Sequence, residues 1–292
     1  MQTISGVWLP AITPFRDGAV DLASFERMLE HYLARGISGV FPLGTTGEGP
    51  TLDEDEMDAL VERTVGVVAG RVPVFVGVGG NATHKVLRTL RRLERFRFEG
   101  IVSVCPYYNR PSQDGMAEHF TRIAEATDRK ILIYNIPYRT SVNLLNETLL
   151  KLAERPNIVG VKDSSGNVTQ SLDLLRQRPR GFAVMTGDDA FFYTMLAHGA
   201  DGGILASSHL ATERFVGVHA CMAANDHQAA RTAWSGLETL VPRLFREANP
   251  MPIKHCLWRL GLIASPECRL PLTRVSAALA DELDRALKDG VV

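Results

Sequence analysis

Lys162 closes the apolar run Ile158-Val159-Gly160-Val161 and is followed at once by Asp163-Ser164-Ser165-Gly166, so a primary amine stands where a buried strand opens into a loop. An amine so placed can add to a carbonyl carbon and form a Schiff base. Of the six lysines, Lys85 and Lys151 fall in polar helical patterns, Lys130 precedes a strand, Lys254 follows Pro250-Met251-Pro252-Ile253, and Lys288 is in the tail. Lys162 alone marks the C-terminal mouth of a strand, where α/β folds carry their chemistry. The competing reading is a strand-end lysine snorkelling to water. A free lysine amine ionises near 10.4, so near neutral pH only about one in a thousand is nucleophilic, and lowering that value by about three units takes about 4 kcal/mol of desolvation or nearby positive charge. Ile158, Val159 and Val161 supply apolar surroundings.

Other strand ends carry polar groups suited to the same chemistry. Gly44-Thr45-Thr46-Gly47-Glu48-Gly49 combines three glycines, whose backbone can approach a ligand and offer N–H groups to an anion, with two hydroxyls. Pro106-Tyr107-Tyr108-Asn109-Arg110-Pro111 follows another apolar run, and Tyr134-Asn135-Ile136-Pro137-Tyr138-Arg139-Thr140 ends a further one. Each has a plain structural reading: a turn, a tyrosine capping a core, a surface arginine of little energetic consequence. Their convergence on strand ends favours chemistry next to a ketone. The amine would add to a 2-oxo acid and lose water to an iminium, giving an enamine. Tyr134, Thr45 and a tyrosine of the 107/108 pair would relay protons, and the glycine-rich loop would hold the carboxylate.

The elements that must position these groups alternate. The strand candidates are Val7 to Thr13, Gly39 to Leu43, Val72 to Val78, Gly100 to Cys105, Ile131 to Asn135, Ile158 to Lys162, Phe182 to Thr186 and Gly202 to Ala206. Between them, Leu22 to Arg35, Glu54 to Ala69, His84 to Phe96, Gly115 to Thr127, Glu147 to Glu154, Ser171 to Arg178 and Ala190 to Ala197 repeat apolar residues at helical spacing. Eight such βα repeats close a parallel barrel, so an α/β fold of the (β/α)8 TIM barrel type is expected. A doubly wound open sheet is the alternative, but none of the eight runs has the polar character of an edge strand. Thr212 to Asn225, Gln228 to Ala248, Pro252 to Leu260 and Ser276 to Leu287 read as further helices, a small C-terminal helical appendage punctuated by Asn249-Pro250 and Leu270-Pro271-Leu272. The expected division is residues 1–225 for the barrel and 226–292 for the helical region packed on it.

Composition excludes several classes. The chain has 292 residues, 45% hydrophobic and 22% charged, enough to bury a large core. Its formal charge of -1 gives no general attraction to nucleic acid or anionic lipid. No apolar stretch reaches spanning length, and Met1-Gln2-Thr3-Ile4-Ser5-Gly6 lacks the pattern of a secretory leader, so no membrane association is expected. Cys105, Cys221, Cys256 and Cys268 are scattered without C-x-x-C pairs and read as reduced thiols of a cytoplasmic protein, with no metal and no cofactor expected.

Together these residues resemble the pyruvate-dependent lyases related to dihydrodipicolinate synthase and N-acetylneuraminate lyase. The resemblance runs from Gly6-Val7-Trp8-Leu9-Pro10-Ala11-Ile12-Thr13-Pro14-Phe15 through the Gly-Thr-Thr-Gly-Glu loop to Arg269-Leu270-Pro271-Leu272. It implies Lys162 as the Schiff-base residue, Tyr134 as the proton-transfer tyrosine, and Thr45 and Thr46 as hydroxyls of the relay and the carboxylate site. Gly44 and Ile204 join the substrate-binding set. Tyr108 would complete a neighbouring subunit's site, implying a homo-oligomer, a tetramer of tight dimers. Thr45 at the first hydroxyl position, Arg139 in the place of the arginine that binds the aldehyde's carboxylate, and Asn249-Pro250-Met251-Pro252-Ile253-Lys254 resemble the synthase branch, which condenses pyruvate with L-aspartate-4-semialdehyde on the route to lysine and diaminopimelate. Two alternatives remain: another pyruvate aldolase or dehydratase acting on a sugar acid or 4-hydroxy-2-oxo acid, and a non-catalytic paralogue that binds small carboxylates. Gly49, Glu54, Met57 and Lys85 stand where lysine-inhibited relatives carry a serine, histidines and a glutamate, so insensitivity to L-lysine is expected.

Overall fold

The computed structural model describes residues 4–290, leaving Met1-Gln2-Thr3 of the leader reading outside the described residues. The fold is a (β/α)8 barrel with a C-terminal helical region. Its barrel strands are β1 (Gly6–Leu9), β2 (Gly39–Val40), β3 (Phe75–Gly77), β4 (Gly100–Val104), β5 (Lys130–Asn135), β6 (Ile158–Asp163), β7 (Ala183–Thr186) and β8 (Gly202–Ile204). All eight expected strands are present, several of them shorter than their apolar runs. Residues such as Phe41 and Val78 are buried beyond the ends of regular pairing, and burial is all that hydropathy reports. A short hairpin pairing Phe15–Arg16 with Ala19–Val20 carries no comparable apolar signal.

Two compact units make up the chain, one formed by residues 75–204 and the other by residues 6–74 with the segment from 205 onward. In the first, β3 to β8 pair in sequence order, each parallel to the next. Both faces of these strands are covered, so they read as continuous apolar runs: Ile131, Leu132 and Ile133 of β5 are all fully buried. The register sets Tyr134 beside Lys162 and Asn135 beside Asp163 across β5 and β6. Register partners on adjacent strands lie about 4.8 Å apart and point to the same face, so pairing alone makes Tyr134 and Lys162 neighbours.

In the second unit β1 pairs with β2 in parallel, and Val40 bridges Val74. Helix Glu54–Val68 starts with a reciprocal cap: Asp53 accepts from the Glu56 N–H at 2.9 Å, and Glu56 accepts from the Asp53 N–H at 3.1 Å. The helix expected over Gln228 to Ala248 is instead two, His227–Ser235 and Leu240–Leu244. Gly236 caps the first, and apolar spacing carries no sign of that interruption because Ala230 and Trp234 before it and Leu237, Leu240, Val241 and Leu244 after it are all buried. No helix among the described residues is long and apolar enough to cross a membrane. The four cysteines are free thiols.

Candidate active site

Lys162 is 4% exposed at the end of β6, with its Nζ 4.2 Å from the centre of the Tyr134 ring. Burial pushes its pKa from 10.5 down to about 7; the Asp189 carboxylate opposes that shift and the Arg139 guanidinium assists it. The result is an amine that is largely neutral at physiological pH, which a solvent-exposed lysine is not.

The stem of this lysine is held by an absence. A Cβ at Gly187 would lie 2.6 Å from Lys162 Cε and 2.3 Å from Ser164 Oγ, so the backbone after β7 fills the space against which both side chains rest. Lys162 and Ser164 are two residues apart and emerge on the same side of the strand. Ser164 Oγ is buried and has no hydrogen-bond partner among the described residues. Asp163 turns the other way: its carboxylate accepts from the Ser165 N–H at 3.0 Å and from the Ser171 hydroxyl, fixing the turn that follows the lysine.

Around β5 an amide network shapes the next loop. Asn135 Nδ2 donates to Asn143 Oδ1 at 2.8 Å, and Asn135 Oδ1 accepts from the Leu144 N–H at 3.0 Å. That loop contains the one-turn helix Pro137–Thr140, begun by a proline at its first position and ended by Ser141 at φ 59. Arg139 is exposed on it and donates from Nε to the Tyr138 hydroxyl at 3.2 Å. Tyr108 is 89% exposed at φ 74, on a segment tied down where Asn109 Nδ2 donates to the Asn81 carbonyl at 2.8 Å. Ile204 ends β8 and is fully buried.

Gly44, Thr45 and Thr46 belong to the second unit. Their loop opens at Leu43 with φ 61 and closes at Glu48 with φ 52, two non-glycine residues in the left-handed region. Three of its carbonyls are spent: Gly44 O takes the Gly49 N–H, Thr45 O the Glu48 N–H, and Gly47 O the Thr13 hydroxyl at 2.7 Å. Its donors are not. Among the described residues, the N–H groups of Thr45, Thr46 and Gly47 donate to no protein acceptor, which is the electrostatics of an anion site. Glycine at 47 and 49 is required by the chain itself, since a Cβ would meet Ala11 O at 2.8 Å or Leu43 O at 2.3 Å.

The loop is locked from below. Glu48 is 2% exposed, pairs with the fully buried Lys254, and accepts from the Arg269 N–H at 2.9 Å. Lys254 also donates to Glu267 O at 2.8 Å, and its Nζ lies 4.2 Å from the Phe15 ring centre. Asn249 Nδ2 donates to Thr46 Oγ1 at 2.9 Å. Gly187, Asp189 and Ser164 near Lys162, and Glu48, Lys254 and Asn249 at the loop, were not singled out from sequence. Ser164 and Gly187-Asp188-Asp189 follow strands directly, so the strand-end criterion that found Lys162 reaches them too; Glu48 lies in the glycine-rich loop already read as functional, and no local signal gives the side chains of Lys254 and Asn249 a role.

A pH dependence follows from Lys162. Only the neutral amine attacks a carbonyl, so the rate of adduct formation with a 2-oxo acid falls about tenfold per pH unit below about 7 and levels off above it. Stopped-flow or quenched borohydride trapping between pH 5.5 and 9 measures this; a profile still rising at pH 9 would mean an unperturbed lysine.

The Dihydrodipicolinate synthetase family model matches residues 3–290. The chain is 49% identical over 284 residues to 4-hydroxy-tetrahydrodipicolinate synthase 2 of Clostridium acetobutylicum, covering 97% of this chain and 99% of the relative. The crystal structure of dihydrodipicolinate synthase from Thermotoga maritima superposes with a TM-score of 0.96 at 36% identity, covering 100% of each chain. That of the chloride-inhibited dihydrodipicolinate synthase from Acinetobacter baumannii, complexed with pyruvate, gives 0.96 at 36% identity over 99% of this chain and 100% of the other.

Proposed function

We propose, since the chain belongs to the Dihydrodipicolinate synthetase family, that it is a Schiff-base lyase that condenses pyruvate with L-aspartate-4-semialdehyde, a 4-hydroxy-tetrahydrodipicolinate synthase. The observation that carries this reading is the buried Lys162 amine, lowered to about 7 and in register with Tyr134, in a chain 49% identical to such a synthase over nearly its whole length. The Lys162 amine adds to the keto carbon of pyruvate, water leaves, and the iminium loses a methyl proton to become an enamine. The former methyl carbon attacks the aldehyde, whose oxygen takes up a proton to become a hydroxyl, and the amine of the semialdehyde then adds to the iminium carbon and displaces Lys162, closing the ring and freeing the lysine. Tyr134 and Thr45 carry protons in the addition and dehydration steps. The carboxylate of pyruvate is assigned to the donor-rich Thr45-Thr46 loop, with Gly44 and Ile204 as substrate-binding neighbours in the sequence-based assignment.

Tyr108 supports an oligomeric enzyme. A tyrosine 89% exposed at positive φ, on a segment tied to Asn81, presents its ring outward from its own chain, as a residue serving a neighbouring subunit would. A tetramer of tight dimers is the assembly proposed, and sedimentation of the purified enzyme tests it.

Arg139 is assigned to the carboxylate of the aldehyde. It is exposed and already shares a hydrogen bond with Tyr138, so its loss should cost less than that of a fully desolvated pair. Arg139→Ala lowers kcat/KM for the semialdehyde about 10- to 100-fold, roughly 1.4 to 2.8 kcal/mol, while the pyruvate adduct still forms. The test pairs that variant with mass spectrometry of products from pyruvate and a panel of aldehydes. A wild-type enzyme that ignores aspartate semialdehyde and accepts sugar aldehydes would replace this function with the sugar-acid aldolase reading.

A further inference from the structure

Thr46 is 3% exposed, and its hydroxyl has one hydrogen to give and two lone pairs to fill. Asn249 Nδ2, which can only donate, occupies one lone pair at 2.9 Å. Because an amide nitrogen cannot accept, the Thr46 hydrogen cannot turn toward that atom, and among the described residues Thr46 donates it to no protein group. The arrangement leaves Asn249 Oδ1 buried without a partner among the described residues, although a half-turn of the amide would bring Oδ1 to the hydroxyl and draw its hydrogen inward. Next to Thr46, the N–H groups of Thr45 and Gly47 are unspent as well, while the carbonyls of Gly44, Thr45 and Gly47 are consumed.

We propose that Asn249 is a positioning residue for the pyruvate carboxylate: by donating to Thr46 it fixes the polarity of that hydroxyl, so that the loop presents an unbroken row of donors. Asn249 touches no reacting atom in this scheme; it acts through Thr46. The inference rests on the assignment of the carboxylate to Thr46.

The test uses full-length purified enzyme and three substitutions, with KM for pyruvate, kcat and thermal unfolding measured from pH 5.5 to 8.5. Thr46→Val removes the hydroxyl and raises KM for pyruvate about tenfold or more. Asn249→Asp places a carboxylate oxygen against the hydroxyl, drawing its hydrogen away from the substrate. KM for pyruvate then rises about 10- to 100-fold at pH 8 with a smaller change in kcat. As pH falls and the new carboxyl is protonated, it donates to Thr46 as the amide did, so the ratio of variant to parent KM falls toward one. A residue that merely packs has no such pH-dependent rescue. Asn249→Ala, which frees the hydroxyl to rotate, gives a smaller rise whose ratio to the parent is independent of pH, and it carries the test if Asn249→Asp does not fold. Should Thr46→Val raise KM while neither Asn249 variant does, or should the Asn249→Asp ratio stay flat with pH, the positioning role is overturned and the Thr46 assignment stands. An unchanged KM in Thr46→Val overturns both.

Discussion

Lys162→Ala yields a protein that forms no borohydride-stable adduct with pyruvate and turns over several orders of magnitude more slowly, because in the assignment proposed above Lys162 supplies the imine nitrogen. In the parent enzyme, reduction traps the adduct as a secondary amine on the peptide containing Lys162, and label on any other lysine would sink the assignment. A second, less obvious result accompanies it: the substitution does not weaken the fold. With a folded pKa near 7 against an ordinary 10.5, the unfolded chain binds a proton that the folded chain sheds across that interval. Stability therefore rises with pH between the two values; the penalty is full below about 7 and gone above about 10.5. Lys162→Met, which keeps the stem and discards the charge, should gain about 1 to 4 kcal/mol at pH 7 and little at pH 10.5. Calorimetry at the two pH values measures the difference. A variant destabilised equally at both would show that the lysine is held by packing rather than strained by desolvation.

Lys254→Met should have a large effect on stability. Lys254 and Glu48 are 0% and 1% exposed at their side chains, so removing the cation strands a carboxylate in the interior. Breaking such a pair costs about 3 to 5 kcal/mol, far more than an exposed pair such as Arg122–Glu118. The double substitution Glu48→Leu with Lys254→Met should recover much of that loss, since two apolar side chains leave no stranded charge. A thermal-unfolding double-mutant cycle reads the coupling directly. If Lys254→Met melts with the parent, the pair is not what holds the loop.

The contrast between these two lysines explains what could be read from sequence. Lys162 ends a β-branched apolar run, and a charge following such a run is a local pattern. Lys254 sits within helix Met251–Arg259 beside His255 and Arg259, where it resembles any helical lysine; its burial depends on Glu48, 206 residues away, and no window along the chain contains both. The strand order was likewise visible in periodicity, while the ends of strands were not, because loops such as Leu43 to Glu48 are buried as deeply as the strands they follow. Asn249 lay in a segment read as punctuation and as resembling the synthase branch, with no role for its side chain, and its bond to Thr46 spans 203 residues.

That separation has a consequence for the order of events during synthesis. The Gly44 to Gly49 loop is made early, and Thr13, which donates to Gly47 O, earlier still; yet Asn249, Lys254 and the Arg269 backbone, which hold Thr46 and Glu48, are made more than 200 residues later. At roughly 5 to 20 residues per second, the ribosome leaves a delay of roughly 10 to 40 s in which Leu43 and Glu48 have no reason to hold left-handed conformations. A nascent chain halted before residue 249 can contain Lys162 and both threonines and still lack the contacts that shape the loop. On the carboxylate assignment proposed above, competence to bind the keto acid arrives once residues 249 to 269 are in place, and binding of pyruvate by arrested chains of increasing length marks the residue at which it appears.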